Sequence, residues 1–139
     1  MAHSIQNMPD DHWRHKLTDE QYQVLRNKDT EAPFTGALVN NHSDGAYHCA
    51  ACGQLLFASD TKFDSGTGWP SFTDPVNREH VLLHQDTTYG MERTEVTCAN
   101  CSSHLGHVFH DGPPDKGGMR YCINSCALDF KPQPTGTTQ

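Results

Sequence analysis

Between His104 and Cys126 the chain reads HLGHVFHDGPPDKGGMRYCINSC. Within this stretch His104, His107, Asp111, Arg120 and Cys122 gather an imidazole pair, a carboxylate, a guanidinium and a thiol, with His110, Asp115 and Cys126 beside them. Imidazole titrates near neutral pH and can donate a proton to a departing oxygen. A thiolate is a strong nucleophile, and a nearby positive charge raises the fraction of thiol in that form. If Met119–Asn124 is a strand, alternation turns Tyr121 and Ile123 to the core. Arg120, Cys122 and Asn124 then share the opposite face. The stretch suggests a redox-active thiol with its proton donors. The plainer reading is an inert cysteine on a strand beside two structural histidines. His110 reads as a surface residue.

The other cysteines decide how Cys122 is read. Cys49-Ala-Ala-Cys52-Gly and Cys98-Ala-Asn-Cys101 each enter a turn after a strand-like run. Two facing CxxC turns supply four sulfurs at the corners of a tetrahedron, which is the structural zinc arrangement. Cys49, Cys52, Cys98 and Cys101 are therefore expected to hold one Zn2+ per chain. A thioredoxin-like redox CxxC would open a helix in a βαβ context, and neither turn does. Disulfides would need an oxidising compartment. With four cysteines assigned to metal, Cys122 and Cys126 remain.

The elements that position these residues are short. The chain has 139 residues, with 11 Gly and 8 Pro, and is 35% hydrophobic. That is the size of one domain, and the turn content argues against a helical bundle. KLTDEQYQVLRNK, 16–28, predicts a helix. Thr18 is its N-cap, Gln21 completes a capping box, and Leu17, Tyr22, Val24 and Leu25 form an apolar side. TEAPFTGAL reads as an irregular crossing, broken by Pro33 and Gly36. From about residue 44, short apolar or alternating runs separated by turns predict an antiparallel, mainly β core. We expect a flexible segment over 1–15, one folded domain over 16–131 and a disordered tail over 132–139.

Charge and hydropathy exclude some partners. A net charge of −7 without a Lys/Arg cluster opposes nucleic-acid binding. No run is long and apolar enough for a membrane span, and the N-terminus has no signal-peptide core. A cytoplasmic protein is expected, monomeric by default.

Ser65-Gly66-Thr67-Gly68-Trp69-Pro70-Ser71-Phe72 is a glycine-opened loop that presents a large aromatic. Trp69 is either core or a pocket wall for an apolar, polarisable group. CAACG, SGTGWPSF, CANC, HLGHVFHDGP and RYCINS together resemble the B-class methionine sulfoxide reductases, over roughly residues 15 to 131. The resemblance implies two antiparallel β-sheets with helices at the N-terminal side. It implies reduction of the R epimer of methionine sulfoxide, free or in oxidised proteins. Cys122 matches the catalytic cysteine, and His104 and His107 match the active-site histidines. Asp111, Arg120 and Asn124 match the surrounding polar residues. Trp69, with Phe109 close by, matches the substrate methyl pocket, and the CxxC pairs match a zinc site. Cys122 would attack the sulfoxide sulfur while a histidine, by preference His107, protonates the oxygen. The resulting sulfenic acid would be reduced through a disulfide.

One position departs from the pattern. Many relatives carry a resolving cysteine where this chain has Thr67. Cys126 is the remaining candidate resolver. If the strand runs on, its Cα lies about 13 Å from that of Cys122, and a disulfide needs less than about 7 Å. Only a turn after Asn124 would bring them together. An external thiol, such as thioredoxin or glutathione, is the expected reductant. The competing readings are a zinc-stabilised binding module that has lost catalysis and a zinc-ribbon nucleic-acid protein.

Overall fold

The computed structural model describes residues 10–87 and 93–132. Two antiparallel sheets carry the fold. The first orders β2 (Leu55–Ala58), β1 (Gly45–Cys49) and β9 (Leu128–Pro132). The second has six strands: β3 (Lys62–Phe63), β4 (Ser71–Phe72), β8 (Arg120–Ile123), β7 (His104–Phe109), β6 (Arg93–Cys98) and β5 (Val81–Asp86). The mainly β expectation with N-terminal helices therefore holds. Aromatic side chains join the sheets. Phe57 stacks on Phe72 with ring centroids 4.3 Å apart, and Tyr47 meets Phe72 edge-on at 5.1 Å. Tyr47, Phe57 and Phe72 are fully buried. Tyr121 and Ile123 are buried as the alternation predicts.

The helices differ from expectation in extent. α1 covers Asp10–Lys16. Residues 10–15 are thus helical rather than loose, because Trp13 is a core residue at 1% exposure. Its ring lies under the Arg26 guanidinium, 4.6 Å away. The rest of the expected loose segment, 1–9, lies outside the described residues. α2 covers only Asp19–Leu25, shorter than 16–28. Thr18 and Gln21 form the predicted capping box, and Tyr22, Val24 and Leu25 are buried. The helix ends at its C-cap Arg26, whose side chain bonds the Cys101 carbonyl at 2.8 Å and Ser103 Oγ at 2.9 Å. Lys28 then takes a positive φ of 61°. At the other end Pro132 belongs to β9, and 133–139 lie outside the described residues.

The pairing of β7 with β8 places the central residues of the site. His107 lies opposite Cys122, and Phe109 opposite Arg120. Glycine is required at 106, where a Cβ would collide with the Cys122 carbonyl. A short 3-10 turn, Ser125–Ala127, ends β8 and leads into β9.

Candidate functional site

Cys49 closes β1 and Cys98 closes β6, and each CxxC unit turns in the same way. The residue after the second cysteine, Gly53 or Ser102, has positive φ. Its N–H returns to the carbonyl of the first cysteine at 2.8 Å in both turns. The four sulfurs lie within 4.8 Å of one another. Cys49 Sγ is 3.7 Å from Cys101 Sγ, and Cys52 Sγ is 3.5 Å from Cys98 Sγ. A tetrahedron with metal–sulfur bonds of about 2.3 Å has edges of about 3.8 Å, so the cluster matches a four-thiolate cation site. All four cysteines are free of disulfides. Hydrogen bonding from the other three and burial hold the Cys49 thiol far above its ordinary range. Four such thiolates coexist only around a cation.

Cys122 opens onto a separate pocket of about 180 Å³, lined also by Trp69, His107, Phe109, Arg120 and Asn124. That is slightly more room than the roughly 150 Å³ cavity that can hold a benzene ring. Arg120 lies 4.5 Å over the Phe109 ring and is gripped by Asp111 through bonds of 2.8 and 3.2 Å. Asp111 itself is exposed and outside the pocket, so it acts on the site through Arg120. Trp69 Nε1 donates to the Glu31 carbonyl at 3.0 Å, which fixes the indole as a wall. Asn124 lies just past β8. It donates to the Leu105 carbonyl and accepts from the Glu31 N–H, both at 3.0 Å.

The thiol is not poised as an open thiolate. Burial pushes Cys122 above its ordinary value of 9.0. Hydrogen bonds from Thr67 and Ser71 and the charge of Arg120 pull it back without cancelling that effect. The expected activation by Arg120 is present, but desolvation outweighs it.

The two histidines differ. His107 is 11% exposed and lines the pocket, and its Nε2 is 2.8 Å from Asp86. His104 is 3% exposed and does not line it. Its Nδ1 bonds Glu95 at 2.8 Å, and its Nε2 is buried without a partner. Burial lowers the His104 pKa despite Glu95. The buried Nε2 explains why: protonating it would create an N–H with nothing to accept it. His110 is exposed, as expected.

Cys126 follows a turn after Asn124, yet it lines a different groove with Glu20 and Glu31. Burial and the neighbouring carboxylates raise its thiol to about 12.

Several contributors escaped the sequence reading. Asp86 and Glu95 hold the histidines, and Thr30 and Arg93 line the pocket. Thr67 Oγ1 sits 3.8 Å from Cys122 Sγ and 2.8 Å from Ser65 Oγ. Glu31 accepts the N–H groups of Ser125 and Cys126 at 2.9 and 3.0 Å. Only the Thr67 departure marked any of these positions in advance.

The SelR domain family matches residues 17–132. A Methanosarcina barkeri protein named peptide methionine sulfoxide reductase MsrB is 55% identical over 136 residues, covering 98% of this chain and 95% of the relative. The chain belongs to the SelR (MsrB) family. An Agrobacterium fabrum MsrB is 56% identical over 126 residues, covering 91% of this chain and 93% of the relative. The family match spans both CxxC turns and the whole Cys122 pocket. The solved Mis18 'Yippee-like' domain superposes with a TM-score of 0.53 at 17% identity, over 66% of this chain and 99% of that one. That likeness is one of fold.

Proposed function

We propose that this MsrB-family chain is a thiol-dependent reductase of methionine-R-sulfoxide, protein-bound or free, with its reductase domain over 16–131. The observation that carries the reading is the pocket itself. It holds one nucleophilic sulfur, one histidine and the guanidiniums of Arg93 and Arg120 against two aromatic walls. Trp69 and Phe109 would take the methyl and sulfur of the substrate. Cys122 sulfur attacks the sulfoxide sulfur, its proton passing to solvent, from which His107 is later reprotonated. The sulfoxide oxygen gains a proton, from His107, and moves to Cys122. The products are methionine and a sulfenic acid on Cys122. Arg120 and Asn124 steady the charge and geometry around that sulfur. His104 supports the pocket from beneath.

Regeneration needs two external thiols, from thioredoxin or a small thiol. The first attacks the sulfenic sulfur, releases water and leaves a mixed disulfide. The second attacks that disulfide and returns the Cys122 thiol. Support comes from Thr67, which puts a hydroxyl beside Cys122 at the position where the family pattern often has a cysteine, and from Cys126, whose groove lies elsewhere. Cys49, Cys52, Cys98 and Cys101 would hold one Zn2+, whose role when bound is to cross-link the β1–β2 and β6–β7 turns.

The test is turnover of separate R and S epimers with dithiothreitol as reductant. Turnover of the R epimer, lost in Cys122→Ser, is expected. An inactive wild type, or turnover of the S epimer alone, defeats the reading.

A further inference from the structure

Beside the two histidines lie two carboxylates from separate strands, Asp86 buried and Glu95 partly so. Asp86 closes β5, and its side chain is 2% exposed. Its Oδ2 is 2.8 Å from His107 Nε2 and 3.5 Å from Arg93 Nη2. Glu95 on β6 holds His104. Lys28 Nζ bridges the pair, 3.6 Å from Asp86 and 3.3 Å from Glu95. Arg93 and Lys28 thus set two cations beside Asp86 and one beside Glu95.

An ionised carboxylate only accepts hydrogen bonds. A His107 nitrogen facing Asp86 must therefore carry the hydrogen. Nε2 is so occupied, and Asp86 does not line the pocket. Nδ1 is the ring nitrogen left for the substrate. His104 is held by the opposite nitrogen, Nδ1, and its Nε2 is sealed from the pocket.

We propose that Asp86 is a positioning residue of the reaction: it fixes His107 with Nε2–H buried, so that the proton reaches the sulfoxide oxygen from Nδ1. The inference rests on the reductase reading above. The charged and titratable groups around His107 come from three neighbouring strands. Asp86 lies on β5, Arg93 and Glu95 on β6, and Arg120 and Cys122 on β8. His104 on its own strand and Lys28 after α2 complete the set among the described residues. Asp86 is the one that contacts the ring nitrogen.

An amide in place of Asp86 can donate as well as accept, which frees the tautomer and removes the charge that favours imidazolium. Asp86→Asn should lower kcat for the R epimer by about a hundred-fold, the low end of what a positioned proton donor contributes, with KM little changed. The alkaline limb of the pH profile should move to lower pH. In a His107→Gln background the same substitution should have almost no further effect. An unmoved limb, or an equal loss with His107 already removed, overturns the proposal. Nitrogen-15 NMR of the unmutated protein is independent of how the variant folds. Neutral His107 should be the Nε2–H tautomer, and the Nδ1–H tautomer overturns the assignment. A wild type without R-epimer turnover would instead defeat the reductase reading, and the tautomer would still decide what Asp86 does.

Discussion

Cys122 is caught between opposing forces. Removal from water favours the thiol, while Thr67, Ser71 and Arg120 favour the thiolate, and burial wins. The free protein should therefore be a sluggish target for electrophiles. Alkylation of Cys122 by iodoacetamide should still be rising as the pH passes 9, and Arg120→Met should push that rise higher. A plateau near neutral pH in the unmutated protein would show a thiolate already formed. The strand pattern did announce that Arg120 and Cys122 share a face. It did not reveal how dry that face becomes, because dryness depends on what Trp69 and Phe109 bring from other segments.

Among the elements, the crossing after α2 carries more than a linker would. Glu31 is 6% exposed and accepts two backbone N–H groups from the turn after β8. Its own backbone holds Trp69 and Asn124. Read alone, TEAPFTGAL offered only breakers, since a glutamate in a polar loop is ordinarily solvated. Its importance comes from a turn roughly ninety residues later, which no local pattern marks. Glu31→Gln should lower stability by about 1–3 kcal/mol, because an amide presents an N–H where one of two donors needs an acceptor. Urea unfolding checks the stability, and a raised KM would report the loosened Trp69 wall. The capping box at Thr18 was legible because its partners lie within one helical turn.

For the whole molecule, two couplings to solution conditions follow. The CxxC turns lie in different sheets, so a shared cation ties β1 to β6. Chelation, or Cys52→Ser, should lower the unfolding midpoint and remove metal before it changes the Cys122 chemistry. Metal analysis beside urea melts would show that order. The second coupling is to pH. Burial depresses the folded-state pKa of His104 below the ordinary 6.5. The unfolded chain therefore takes up a proton there first as the pH falls. The stability contributed by neutral His104 is present above about 6.5 and is lost as the pH drops through the folded value. His104→Gln should flatten that acid-side decline, measured as urea midpoints at pH 7.5 and 5.

The residue types and short spacings determined the mainly β class, the two CxxC turns, the α2 cap and the assignment of Cys122 as the cysteine left for chemistry. Each depends on neighbours within a few residues, or on counting a scarce residue. Tertiary structure decided the rest. The pairing of β5, β6 and β7 let Asp86 and Glu95 reach His107 and His104 diagonally, across rows in which Glu95 itself faces His107. The turn after β8 sent Cys126 to another groove. The helix at Asp10–Lys16 exists because Trp13 finds a core to enter. The physical reason is the same in each case. Burial and hydrogen-bond partnership are properties of surroundings, and these surroundings are assembled from segments distant in the chain.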